Sequence, residues 1–323
     1  MTIVVGVDIA KHTFDIATLQ PNGKHRTKGK LTNNANGFAV FADWLERYAE
    51  SGAWIVMEAT GIYHELLAEH FHGLGYRVAV LNPAQIKSYA KSQLQRSKTD
   101  KLDAKLIATY GHLHQDRFKP WQPEPLNIRQ LRALSRRLED LQELRQMELN
   151  RLEVSRDNVH ASINAVLQRL DEQLPETLGR IKNLIDDDPD RRGKRDLLVS
   201  IDGISDKTAS LLLAELGDPQ RFNNARAVVA FAGLDPQLHE SGKYQGCVRI
   251  SHTGSARLRA GLYMPAVSSL KHNPAIRALA ERMKSRAKKG KQIVCAAMRK
   301  LLTIAYGVLK SCRPFDANLA VAR

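Results

Sequence analysis

Cysteine is scarce in this chain of 323 residues: Cys247, Cys295 and Cys312 form no CxxC pair and have no histidine at ligand spacing. That disfavours a disulfide framework and a structural zinc site, and it fits a reducing compartment. Aromatic residues make up 6%, too few for recognition built mainly on stacking bases over rings. No run of 18 apolar residues stands out, and the N-terminus enters the strand-like Ile3-Val4-Val5-Gly6-Val7 without a basic flank or cleavage site. A soluble, cytoplasmic protein with no membrane attachment is therefore expected. No GxxxxGK[ST] phosphate loop is present, which argues against a P-loop ATPase. Acid is missing from one end of the chain. Between Ser241 and Arg313 there are sixteen Lys and Arg but a single acid, Glu281.

The whole formal charge of +15 thus belongs to that segment, and the remainder is neutral overall. A positive patch on a neutral body attracts polyphosphate and releases its counterions. A solvated helix face is the plainer alternative; a membrane-surface patch lacks the Trp or Phe anchors it needs. The fractions of 43% hydrophobic and 26% charged residues belong to an ordinary globular protein of two or three domains.

Residues 1 to about 115 alternate strand and helix signals. Ile3–Asp8 and Phe14–Leu19 are β-branched runs, and Pro21-Asn22-Gly23 makes a tight reversal. Helical periodicity over 35–50, strand at Trp54–Glu58, helix at Tyr63–Leu74 and strand at Arg77–Leu81 follow, and Asn82-Pro83 opens another helix. This pattern predicts a largely parallel sheet with helices on its faces and an antiparallel pair at its start. From Leu126 to Leu174 there is no proline, and Leu131, Leu134, Leu138 and Leu141 keep an a/d spacing. A long helical hairpin or coiled-coil arm is predicted, packed within the chain or against a second subunit. The tract Asp186-Asp187-Asp188-Pro189-Asp190 reads as a solvated link. Leu197–Ile204 followed by a helix at Ser205–Leu216 has a helix-hairpin-helix pattern, whose Gly203 and Ser205 offer backbone N–H groups to a phosphate or form a purely structural turn. Gly233–Gly254 reads as a loop and leads into a basic helical C-terminus.

Four acids could carry chemistry. Asp8 and Glu58 end two strands of the sheet, where the C-terminal edge of a parallel sheet opens to ligands. Asp100 and Asp103 stand three apart on a helix, with Cβ atoms about 5–6 Å from each other. Hard oxygen donors so placed suit Mg²⁺ or Mn²⁺, and two such ions stabilise the attacking and leaving oxygens of a phosphodiester displacement. Each acid also has a structural reading: Asp8 capping a turn, Glu58 pairing an arginine, Asp100 sitting at its helix N-terminus.

The motifs Gly6-Val7-Asp8-Ile9-Ala10-Lys11, Met57-Glu58-Ala59-Thr60-Gly61, Lys98-Thr99-Asp100-Lys101-Leu102-Asp103-Ala104, Phe231-Ala232-Gly233-Leu234 and Glu240-Ser241-Gly242 together resemble the insertion-sequence one-ten family of transposases over essentially the full chain. The resemblance implies an α/β RNase H-like (RuvC-like) catalytic domain at 1–118, a helical coiled-coil arm and linker at 119–192, and a basic, mostly α-helical transposase domain at 193–323. It implies a DEDD tetrad at Asp8, Glu58, Asp100 and Asp103, with Mg²⁺ or Mn²⁺ as cofactor. It also implies a nucleophilic serine, Ser241, that forms a phosphoserine intermediate on DNA. The partners it implies are donor and target DNA, a non-coding bridge RNA and further copies of the chain in a dimer or tetramer. The cell site it implies is a bacterial cytoplasm, in association with the nucleoid.

Lys243, Arg249, Arg257, Arg259, Lys288, Lys289 and Lys291 are candidates for phosphate contacts, alongside Gly203 and Ser205. The pairs His70/His72 and His112/His114 face apart on a helix and are read as no metal site. Two further functions share the features: a RuvC-like junction resolvase with water as nucleophile, and a non-catalytic nucleic-acid scaffold. A sugar-kinase or actin-like ATPase would share the sheet, since a fold does not settle a function.

Overall fold

The computed structural model describes residues 3–49, 52–59, 61–94, 100–237, 240–241, 244–245 and 249–318, with backbone alone at 100, 101, 240, 241, 244 and 245. The chain divides into two compact units, residues 1–123 and 124–323.

In the first unit the order is β1 (Val4–Ile9), β2 (Thr13–Leu19), β3 (His25–Thr32), α1 (Ala35–Tyr48), β4 (Trp54–Glu58), α2 (Glu65–Gly73), β5 (Arg77–Leu81), α3 (Pro83–Ser92) and α4 (Asp100–His114). The sheet runs β3-β2-β1-β4-β5, antiparallel across β3, β2 and β1 and parallel across β1, β4 and β5. The expected antiparallel pair is thus a three-stranded meander. β3 escapes the sequence reading because it is an edge strand whose residues, HRTKGKLT, are mostly polar and partly exposed. Its Lys side chains suit an unpaired edge. Gly23, at φ 77°, closes the β2–β3 turn.

One face of the sheet buries Val5, Val7, Phe14 and Ile16 against Phe38 and Phe41 of α1 and Leu67 and Phe71 of α2. The other face carries α4. Asn34 caps α1 by accepting from the N–H groups of Asn36 and Gly37, and Asn82 caps α3 through Ala84. A mixed five-stranded sheet with helices on both faces is consistent with an RNase H-like domain.

The second unit is mainly helical: α5 (Leu126–Val154), α6 (Asp157–Asp186), α7 (Pro189–Val199), α8 (Asp206–Leu216), α9 (Ala225–Phe231), then the short strands β6 (Pro236–Gln237), β7 (Glu240–Ser241), β8 (Tyr244–Gln245) and β9 (Arg249–Ile250), then α10 (Ala256–His272), α11 (Pro274–Ser285) and α12 (Gly290–Ser311). The arm is a hairpin of α5 and α6 that breaks at Ser155-Arg156. Leu131 and Leu138 of α5, with Ile181 and Ile185 of α6, share one core with α7 to α12.

Three sequence expectations are corrected here. The aspartate tract is more than a solvated link: Asp187 and Asp190 are exposed, but the tract also starts a helix. Asp188 caps α7 and pairs with Arg191, Asp190 pairs with Lys194, and Asp186 pairs with Arg195. Gly233–Gly254 is not plain loop but holds two small antiparallel ladders, β6 with β9 and β7 with β8. An apolar span does exist: α12 is long and apolar enough to cross a membrane, yet half of that window is buried. Arg299 and Lys300 interrupt it in sequence, and Ala297, Leu301, Leu302 and Ala305 place it at the centre of the unit's core.

Candidate active site

Alternation along a strand puts Val4, Gly6 and Asp8 on one face of β1. That face is the one under α4. A Cβ on Gly111 would lie 2.7 Å from Cγ1 of Val4 and 3.1 Å from Cγ2 of Val56, and a Cβ on Gly6 would lie 2.2 Å from the nitrogen of Ala108 and 2.5 Å from the oxygen of Ala104. Strand and helix therefore run in opposite directions with backbones in close approach, and glycine at position 6 makes the approach possible. Two strand residues advance about 6.6 Å, the rise of about four and a half helical residues. The next equal step carries the line from Gly6 to Asp8 on the strand, and from Ala104–Ala108 to the first turn of α4, Asp100 to Asp103.

Glu58 joins this edge through the sheet. β1 and β4 pair in parallel with Gly6 opposite Val56 and Val7 opposite Met57. One step further along each strand stand Asp8 and Glu58, on the α4 side. Asp8, Glu58 and Asp103 are half-buried, and none of the three is without a partner. Asp100 is the first residue of α4; its side chain lies outside the described part. Among the described residues no three His, Cys, Asp or Glu side chains group tightly enough to hold an ion. The donor chemistry at this edge is nevertheless that of hard carboxylate oxygens, which suits Mg²⁺ or Mn²⁺.

Ser241 ends β7, in register with Tyr244 of β8; Lys243 lies outside the described residues. Of the other basic candidates, Arg249, Lys288, Lys289 and Lys291 are exposed. Arg257 Nε donates to Oε2 of Glu139 at 2.8 Å, and Arg259 Nη1 donates to the carbonyls of Ala232 and Gly254 at 2.9 and 3.3 Å. Burial, opposed by Arg257 and reinforced by the nearby acids Glu215, Glu143 and Asp140, raises the Glu139 carboxyl above its ordinary pKa.

The hairpin between α7 and α8 has Gly203 at φ 100°. Ser269 Oγ and Asn273 Nδ2 of the α10 end both donate to the Asp202 carbonyl, at 3.1 and 3.2 Å. A Cβ on Gly203 would meet Oγ of Ser269 at 2.0 Å, so conformation and packing both demand glycine there. Ser205 precedes α8 with its Oγ 3.3 Å from Oγ1 of Thr208. His70 packs on Phe38 and Phe71, His72 on Trp121 and His114 on Tyr110.

One residue of this region has no sequence motif to announce it. Asn33, between β3 and α1, donates from Nδ2 to the carbonyls of Ala10 and Tyr63. The only local signal is its place beside the capping Asn34.

A family model for DEDD transposases of the IS110 group, described as "Transposase", matches residues 5–155. A second, described as "Transposase IS116/IS110/IS902 family", matches residues 195–281. The chain is 35% identical over 319 residues to the pilin gene-inverting protein of Moraxella bovis, covering 98% of each chain, and to that of Moraxella lacunata to the same extent. It is 25% identical over 299 residues to the transposase for insertion sequence element IS1111A of Coxiella burnetii, covering 83% of this chain and 78% of that one. With both halves matched in order and relatives aligned from end to end, the chain belongs to the IS110 family of transposases.

Proposed function

We propose that this transposase joins donor and target DNA by phosphodiester exchange through a phosphoserine intermediate, with a bridge RNA selecting both duplexes. The observation that most supports a metal-dependent reaction is the alignment of Asp8, Glu58 and the first turn of α4 on one sheet edge, set by the close approach at Gly6. Asp8, Glu58, Asp100 and Asp103 supply hard oxygen donors for Mg²⁺ or Mn²⁺, whose chemistry there is to polarise the scissile phosphate.

Ser241 is the nucleophile in this reading. Its Oγ forms a bond to phosphorus as the bond from phosphorus to the deoxyribose oxygen breaks. The serine proton leaves to a base, and the departing sugar oxygen gains one. A sugar hydroxyl of the second duplex then attacks the phosphoserine and releases Ser241. The bond count is unchanged, so no ATP is needed, in keeping with the missing phosphate loop. Gene inversion, named for the Moraxella relatives, and transposition both need strands broken and rejoined, and this chemistry serves either. The exposed Lys288, Lys289 and Lys291, with Arg249, supply sequence-independent phosphate contacts, which suits a protein whose specificity is delegated to RNA. Joining two duplexes calls for several active sites, hence a dimer or tetramer.

The test is to trap the intermediate. Full-length protein with its guide RNA and a nicked donor is expected to give DNA covalently bound to protein on a denaturing gel. Ser241→Ala should abolish the adduct, and Asp8→Asn should abolish cleavage. An adduct that survives Ser241→Ala overturns the nucleophile assignment, and free 5′-phosphate ends without any adduct would favour hydrolysis by water.

A further inference from the structure

The parallel ladder between β1 and β4 ends at Val7 and Met57, one residue short of the two strand-end carboxylates. β1 turns into β2, holding Asp8 opposite Asp15, while β4 turns towards α2, holding Glu58 opposite Leu81.

Asn33 joins the turns that follow Asp8 and Glu58 from outside the sheet. Its Nδ2 donates to the carbonyl of Ala10 at 3.3 Å and to that of Tyr63 at 3.0 Å. Ala10 lies two residues after Asp8, and Tyr63 lies in the turn that follows Glu58. The backbone N–H of Asn33 donates to the carbonyl of His12 at 2.8 Å, so the β1–β2 turn is held twice. Two carbonyl acceptors on one nitrogen fix the amide orientation, because a flipped amide would set oxygen against oxygen. The orientation leaves Oδ1 buried and, among the described residues, with no hydrogen-bond partner. The neighbouring Asn34 has a separate task, capping α1.

From this geometry we infer that Asn33 is a positioning residue: its amide ties the turn after Asp8 to the turn after Glu58 and sets the spacing of the two carboxylates for a divalent cation. The inference rests on the reading of Asp8 and Glu58 as ligands. Groups that orient metal ligands from behind change metal affinity or activity by about 10–100-fold when removed.

The experiment compares wild type, Asn33→Asp, Asn33→Ser, Asn34→Ala and Asp8→Asn as full-length proteins. Mn²⁺ binding is read by electron paramagnetic resonance, and the Mg²⁺ concentration for half-maximal DNA cleavage is read beside the thermal midpoint. Asn33→Asp keeps the shape but removes both N–H donors. It should bind Mn²⁺ at least about tenfold more weakly and need correspondingly more Mg²⁺, with cleavage recovered at high metal. Asn34→Ala should lower the thermal midpoint and leave Mn²⁺ affinity unchanged. Wild-type Mn²⁺ affinity in Asn33→Asp, with binding abolished in Asp8→Asn, overturns the brace and leaves the ligand reading standing. Undiminished binding in Asp8→Asn overturns the ligand reading and the brace with it. Failure of Asn33→Asp and Asn33→Ser alike to fold would make Asn33 a stability residue and overturn the positioning role.

Discussion

Position 6 has room for a hydrogen and nothing more. Its Cβ would lie within 2.2–2.8 Å of three backbone atoms of α4, and backbone of a packed helix does not yield as a flexible side chain does. Gly6→Ala is therefore expected to push α4 off the sheet and to destabilise the fold by about 1–3 kcal/mol, read as a lower urea midpoint. The same shift moves Asp100 and Asp103 away from Asp8, so DNA cleavage should fall even where the protein remains folded. As candidates the acids were legible in sequence, because strand-end placement and i, i+3 spacing are local patterns. The need for glycine between them, and the bridge at Asn33, were not, because both come from segments far apart in the chain.

At the scale of elements, the aspartate tract shows how position outweighs composition. A run of acids beside proline reads as solvated, yet Pro189 stands at the first turn of α7, where its missing N–H costs nothing, and Asp188 caps that helix. The hydrogen bond from Arg191 holds the Asp188 carboxyl below its ordinary pKa. A depressed carboxyl contributes stability that is present above the unfolded pKa and is lost as the pH falls through the folded value. Asp188→Ala should cost about 1 kcal/mol through removal of the cap, and Asp188→Asn should keep the cap but lose the acid-side pH dependence. Urea midpoints at neutral and acid pH separate the two. β3 taught the converse lesson: a strand with polar residues on an exposed edge carries too weak an alternation to be seen until its neighbour β2 is in place.

Along the chain the net charge lies in one C-terminal segment, and exposed Arg286, Lys288, Lys289 and Lys291 of that segment stand at the turn between α11 and α12. If Lys288, Lys289 and Lys291 touch phosphates, their joint replacement by alanine should weaken binding to every nucleic acid similarly. It should also flatten the slope of log affinity against log salt by about 0.9 for each phosphate no longer neutralised, measured by filter binding over a salt series. Arg257 and Arg259 differ. The first pairs with Glu139 and the second holds two carbonyls of the Gly233–Gly254 region, so their replacement should lower the thermal midpoint as well. Sequence by itself determined the alternation of strands and helices, the helical arm, the acids that are candidates for a site and the basic end, because periodicity, turn residues and net charge act over short stretches or are simple sums. Tertiary structure alone decided that β3 completes the sheet, that α12 is a core helix, and that the arm shares a core with the C-terminal helices. It alone decided, too, that β1 and β4 pair in parallel and that α4 covers the face of β1 that carries Gly6. Those outcomes depend on which faces meet, and burial and backbone approach are properties of pairs of segments that no single stretch of chain contains.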